Sequence, residues 1–270
     1  MRENPARAPD VESRTVPSFD GVPITFEVRG SGPAALVFIH GWSCDRGYWV
    51  GQLEPFSRDF QVVAVDLAGH GESGSGREAW TIAAFGEDAA AVLNELGLKR
   101  VVLIGHSMGG DVTVEAARRL RGRVAGIVWV DAYRKLGEPQ TDEQVRATMA
   151  PFQAAFQEST RTFVRGMFPS GSDRTLVERV AADISKAPPA IALPTMESAF
   201  TYGRELAEAL RELSLPVVAI NPDYKPTDRE SMKRFGVDVV IMPAVGHFLM
   251  MEDPRNFNRL LRDVVEALLR

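Results

Sequence analysis

Only one cysteine, Cys44, occurs in 270 residues. No intrachain disulfide can form, and a reducing compartment suits such a chain, so a cytoplasmic location is expected. Histidine is also scarce: the chain has four, scattered at His40, His70, His106 and His247. No metal-ligand cluster such as His-Glu-x-x-His occurs, and no dinucleotide fingerprint opens a helix. The sequence therefore calls for no metal and no cofactor. Basic residues are not in surplus. Lys plus Arg is 31 against 36 Asp plus Glu, a net charge of −5, which gives no reason to expect nucleic acid or an anionic membrane as partner. No apolar run approaches the length that spans a bilayer. Internal repeats and low-complexity tracts are missing too, and nothing in the chain reads out an oligomeric state.

What is present suits one substantial domain. The chain is 45% hydrophobic and 25% charged, ordinary for a soluble globular protein, and an α/β domain of this length buries a large core without staples. Residues 1–14 are polar, contain two prolines and lack the apolar centre of a signal peptide, so they read as a loose tail. Strand and helix patterns then alternate. Thr15–Phe19 and Ile24–Arg29 flank Asp20-Gly21, a hairpin signal. Ala34–Ile39, Gln61–Val65, Leu98–Ile104, Val124–Val130, Pro216–Ile220 and Val237–Met242 are the apolar runs of buried parallel strands. Ile82–Leu96 and Asn256–Leu269 carry apolar residues at helical spacing. This is the pattern of a mostly parallel sheet with helices on both faces.

One stretch breaks the alternation. Between Asp131 and Leu215 no strand pattern appears, and a structureless loop of that length is improbable. Helical patterns at 143–156, 160–167, 175–184 and 196–213 are interrupted by Pro151, Pro169, Pro188, Pro189 and Pro194. The expected division is a core of residues 15–131 and 214–270, with a helical cap at 132–213. Phe152, Phe156, Phe163, Met167, Phe168, Met196 and Phe200 are the cap side chains available to line a pocket. Of these, Phe152, Phe156 and Met167, with Phe248 from the core, are taken as the substrate-pocket set.

The most informative segment is Gly105-His-Ser107-Met-Gly109, preceded by the run Arg100–Ile104 and followed by a helical pattern to Arg121. Strand, Gly-x-Ser-x-Gly, then helix is the layout of a nucleophile elbow. The turn is too tight for side chains at 105 and 109. It lifts the Ser107 hydroxyl above the sheet at a helix N-terminus, where the dipole and the Met108 N–H favour negative charge.

Three further motifs fall in order around the elbow: His40-Gly41-Trp42, Asp66-Leu-Ala-Gly69-His70-Gly71-Glu-Ser73, and Gly246-His247-Phe248 followed by Glu252-Asp253-Pro254. With them the chain resembles the α/β-hydrolase superfamily over residues 15–270. The resemblance implies an oxyanion hole from the backbone N–H groups of Trp42 and Met108. It implies that His247, on a loop after the last strand, is the general base for Ser107. His70 reads as a turn or core histidine, and His106 as packed.

The acid is less settled. Most of the superfamily carries it in a Gly-x-x-Asp turn after the strand preceding the histidine strand. Here that place reads Ala219-Ile-Asn-Pro-Asp-Tyr-Lys-Pro226, and Lys225 falls where the aspartate is usual. Asp223 lies two residues early and Asp228 three late. Asp131, at the tip of the neighbouring strand, is the third alternative and the one favoured, because some members place their acid there.

A serine at the elbow, where dehalogenases and epoxide hydrolases of the superfamily carry aspartate, points to acyl-enzyme chemistry. The expected partner is a small-molecule, ester-like substrate, and the expected activity is that of a carboxylesterase on small or medium apolar esters. Lactonases, carbon–carbon bond hydrolases, cofactor-free haloperoxidases and acyltransferases share the constellation. So do hydrolase-fold receptors and signalling proteins that bind without turnover.

Overall fold

A computed structural model describes residues 12–270. Strand β1 (Glu12–Pro17) pairs antiparallel with β2 (Pro23–Arg29) across the Asp20-Gly21 turn, where Gly21 takes φ 82°. Residues 12–14 of the expected tail are therefore strand, because their backbone pairs with Phe26, Glu27 and Val28 of β2. The rest of that tail lies outside the described residues. Next come β3 (Ala35–Ile39), a 3₁₀ turn (Arg46–Trp49), α1 (Val50–Ser57), β4 (Gln61–Val65), α2 (Ile82–Glu95), β5 (Val101–His106), α3 (Met108–Arg119) and β6 (Val124–Val130). Helices α4 (Asp142–Ala154), α5 (Phe156–Arg165), α6 (Arg174–Ile184) and α7 (Pro189–Leu213) follow with no strand among them. The chain closes through β7 (Val217–Pro222), α8 (Arg229–Arg234), β8 (Val237–Met242), α9 (Leu249–Glu252) and α10 (Pro254–Leu268).

The eight strands form one sheet in the order β1-β2-β4-β3-β5-β6-β7-β8. From β4 through β8 all neighbours are parallel, while β2 meets β4 antiparallel. The central strands are apolar throughout because both faces are covered. Along β3, Ala35, Val37 and Ile39 enter one core, and Leu36 and Phe38 enter the other. This is the two-residue alternation of a strand buried on both sides. Val112, Ala116 and Ala117 of α3, with Phe85, Ala89 and Leu93 of α2, close the first core. Leu53 and Phe56 of α1 and Phe257, Leu261 and Val265 of α10 close the second.

Helix α7 departs from the sequence expectation in two ways. It runs unbroken through Pro194. The freed carbonyl is that of Ala190, an exposed residue that water can reach, so the proline is tolerated. Its later turns also leave the insertion: Tyr202, Leu206, Ala209 and Leu210 belong to the same core as the sheet. The boundary at 213 therefore falls at the end of a helix that begins against Trp42, through the Ala192 carbonyl, and finishes as a layer of the main core.

Candidate active site

Strand β5 ends at His106 and α3 begins at Met108, which leaves Ser107 alone to make the turn. Ser107 holds φ 51° and ψ −124°, a backbone region that costs a non-glycine residue about 1–3 kcal/mol. The surroundings impose it. The Ser107 N–H donates to the Val130 carbonyl at 3.0 Å, and the Gly110 N–H donates to the Ser107 carbonyl at 2.8 Å. A methyl group at Gly105 would lie 2.2 Å from the Gly109 carbonyl oxygen, and one at Gly109 would lie 2.6 Å from the carbonyl oxygens of Ile39 and His40. Neither can be anything but glycine. Met108 opens α3, so its N–H belongs to the first turn, which has no acceptor within the helix.

His247 and Asp131 meet beside this turn. The His247 Nδ1–H donates to Asp131 Oδ2 at 2.6 Å, and both side chains are buried. Ser107, His247 and Asp131 line one cavity. The histidine loop is tied down from several sides. The His247 N–H donates to the Met167 carbonyl at 3.0 Å, and the Gly246 N–H donates to Glu252 Oε1 at 2.8 Å. The His106 Nε2–H donates to the His247 carbonyl at 2.9 Å. His106 is fully buried, and desolvation followed by repulsion from His247 holds its pKa well below the ordinary value, so it stays neutral in that role.

The two other acid alternatives are engaged elsewhere. Asp223 is exposed and accepts the Ala244 N–H at 2.9 Å. Asp228 caps α8, accepting the Ser231 N–H at 2.9 Å. Asp131 has a second partner that sequence reasoning missed: the Arg134 guanidinium donates to the same Oδ2 at 2.6 Å and lies 4.6 Å over the Tyr224 ring. The segment that replaces the usual acid turn thus supplies an aromatic shelf for the cation that neutralises Asp131. An i,i+3 Asp-Arg pair was visible in the sequence, but nothing there said that its aspartate would face His247.

His40 and His70 are structural. The Nδ1–H of His40 donates to the Gly41 carbonyl at 2.8 Å, and its Nε2 accepts the Leu67 N–H at 3.1 Å. Burial drives the pKa of His40 down to about 4 and that of His70 to about 3. Asp66 is the hub of its motif: it accepts the Arg46 N–H at 2.7 Å and the Glu72 N–H at 2.9 Å, and pairs with the Arg46 guanidinium.

The cavity measures about 720 Å³. Trp42 and Met108 line it, as do Met167 and Phe248; Phe163, Met196 and Phe200 add to its apolar wall. Phe152 and Phe156 do not reach it, which corrects the expected pocket set. They pack with Val145, Met149, Ala192 and Met196 in a small core of the insertion itself. The Trp42 ring stands edge-on to each at 6.1 Å, and its Nε1–H donates to the Ala192 carbonyl at 2.7 Å. Trp42 thereby screens both phenylalanines from the cavity. Phe152→Ala should lower stability by about 3–5 kcal/mol through the void it leaves. Denaturant unfolding measures that loss.

A mostly parallel sheet with a serine at a strained strand–helix turn, next to a hydrogen-bonded histidine–aspartate pair, defines a hydrolase-type α/β protein. Residues 36–260 match the alpha/beta hydrolase family, and the chain belongs to it. Over 111 residues it is 33% identical to the dihydrolipoyllysine-residue acetyltransferase component of the acetoin cleaving system of Cupriavidus necator, covering 41% of this chain and 30% of that protein. Over 119 residues it is 39% identical to the non-heme haloperoxidase of Rhodococcus erythropolis, covering 43% of each. The chain thus spans less than half the length of these curated relatives. Among solved structures, a thermophilic esterase from Thermogutta terrifontis superposes with a TM-score of 0.79 at 25% identity, covering 96% of this chain and 100% of that one. Among the described residues, no helix is long and apolar enough to cross a membrane.

Proposed function

We propose that the protein is a serine hydrolase that cleaves carboxylic esters of small or medium substrates through an acyl-enzyme intermediate. The observation that carries this reading is the 2.6 Å hydrogen bond from His247 Nδ1 to Asp131, in the cavity that Ser107 lines from its strained turn. Asp131 fixes the histidine tautomer with its proton on Nδ1, which leaves the Nε2 lone pair for the Ser107 hydroxyl. Ser107 Oγ attacks the ester carbonyl as His247 takes its proton. The backbone N–H groups of Trp42 and Met108 receive the oxyanion, and one such donor contributes about 10²–10³ in rate. His247 then protonates the leaving alcohol. Water, activated by the same Nε2, attacks the acyl-enzyme and releases the acid.

The insertion acts as a cap that sets acyl preference. Phe163 and Phe200 reach the cavity from α5 and α7. Phe200→Ala should shift the ratio of kcat/KM between short and long p-nitrophenyl esters by about 1–3 kcal/mol. An unchanged ratio would remove that residue from the acyl pocket. The activity itself is tested with a panel of short- and long-chain esters, lactones and vinylogous diketones. Ester turnover should dominate and depend on Ser107; preferential turnover of lactones or diketones would reassign the substrate class.

A further inference from the structure

Asp111 stands four residues after Ser107 on α3 and lines the same cavity. Ser107 is the N-cap of α3, and Asp111 lies in the first turn of that helix. The carboxyl group is buried, with the residue only 4% exposed. Its Oδ1 accepts the Tyr133 hydroxyl proton at 2.7 Å. Among the described residues it has no other side-chain hydrogen bond and no ion pair. The ionisable groups that face it are Tyr133 after β6, Glu115 further along α3 and Tyr202 of α7. None supplies a positive charge. Glu115 itself pairs with Arg118 at 2.9 Å and Arg119 at 2.5 Å and accepts the Tyr202 hydroxyl at 2.8 Å.

We propose that Asp111 is a specificity-determining residue of this site: its free carboxyl oxygen donates a hydrogen bond to an uncharged acceptor on the substrate, such as an ether, ester or amide oxygen, within the cavity that Ser107 also lines. The proposal rests on the serine-hydrolase reading and narrows its substrate to esters that carry such an oxygen. The chemistry of the carboxyl group agrees. Burial first, and then the neighbouring Glu115 charge, outweigh the Tyr133 hydrogen bond and raise its pKa to about 8, so at neutral pH it mostly holds its proton. With Oδ1 taken by Tyr133, that proton sits on Oδ2. That oxygen has no hydrogen-bond partner among the described residues, and a substrate oxygen in the cavity can accept its proton. A cationic substrate group is the poorer match, because Arg134, Lys135 and Lys225 line the same cavity. The signal was present in the sequence as an acidic residue one turn beyond the serine, but its burial was not.

The test compares matched ester pairs in which an ether oxygen replaces a methylene four bonds from the carbonyl carbon. The acyl pair is p-nitrophenyl 4-methoxybutyrate against p-nitrophenyl hexanoate. The alcohol pair is 2-methoxyethyl against n-butyl butyrate. In at least one pair, the ether-to-hydrocarbon ratio of kcat/KM at pH 7 should be about five- to tenfold higher in the parent than in Asp111→Leu. Asp111→Asn, which keeps a donor, should hold the parent ratio. In the parent the ratio should fall as pH rises through about 8 and the donor proton is lost; in Asp111→Asn it should stay level. Equal ratios in parent and Asp111→Leu for both pairs would overturn the proposal. So would a parent-like pH fall in Asp111→Asn, or a parent preference for a trimethylammonium analogue over both. Should Asp111→Leu not fold, the pH comparison with Asp111→Asn decides alone. Loss of all ester turnover in the parent would instead count against the hydrolase reading.

Discussion

Ser107→Ala should reduce turnover of p-nitrophenyl butyrate by up to about 10⁶-fold, because the nucleophile and the proton relay act as one unit and fail together. The fold should survive. The Ser107 side chain caps nothing: α3 has no side-chain hydrogen bond at its N-cap, and the turn is held by backbone bonds to Val130 and Gly110. Alanine at φ 51° is strained to the same degree as serine, so thermal unfolding should shift little. Activity within tenfold of the parent would mean that chemistry in this cavity does not pass through the serine.

Asp131→Asn should lower kcat by up to about 10⁴-fold. The amide offers an NH₂ where His247 needs an acceptor, so the imidazole turns or takes the other tautomer and loses its lone pair toward Ser107. Arg134 adds a second consequence, since its guanidinium now faces a neutral side chain with no ion pair to satisfy it. Arg134→Gln in the Asp131→Asn background separates the two effects. It should recover stability but not kcat. Asp223→Asn is the contrasting variant. Its Oδ1 only accepts the Ala244 N–H, and asparagine retains that acceptor, so kcat should stay near the parent value. The opposite pattern, with Asp223→Asn crippled and Asp131→Asn active, would move the acid to the loop after β7.

Much of the architecture was legible in the sequence. β4 and β6 occupy the ranges that their apolar runs mark, because strands buried on both faces carry a near-continuous signal; β8 also matches its run, although it is the half-exposed edge strand with Asp238 facing out. The elbow was legible because steric demand leaves glycine as the only residue at 105 and 109. Other features depend on where distant segments meet. Three aspartates were compatible with the acid position. The structure puts Asp131 on His247 because the tips of β6 and β8 sit on either side of β7, a relation no local pattern encodes. Phe152 and Phe156 looked like pocket residues, but composition cannot say which face of α4 and α5 turns inward, and Trp42 covers them. The sequence placed breaks at prolines, and at Pro151 and Pro194 that failed because the residues four positions earlier, Ala147 and Ala190, are exposed and leave the freed carbonyls open to water. Tyr133, Arg134 and Asp111 were passed over since each gains meaning only from a tertiary neighbour.

A covalent acyl-serine at position 107 can be caught by rapid-quench mass spectrometry. The parent enzyme is mixed with excess p-nitrophenyl butyrate and stopped in acid within the first turnover, then analysed intact and as peptides. One butyryl group per chain is expected, located on Ser107, with no adduct in Ser107→Ala. A parent enzyme that turns the ester over with no adduct, or with the butyryl group on another residue, would contradict it.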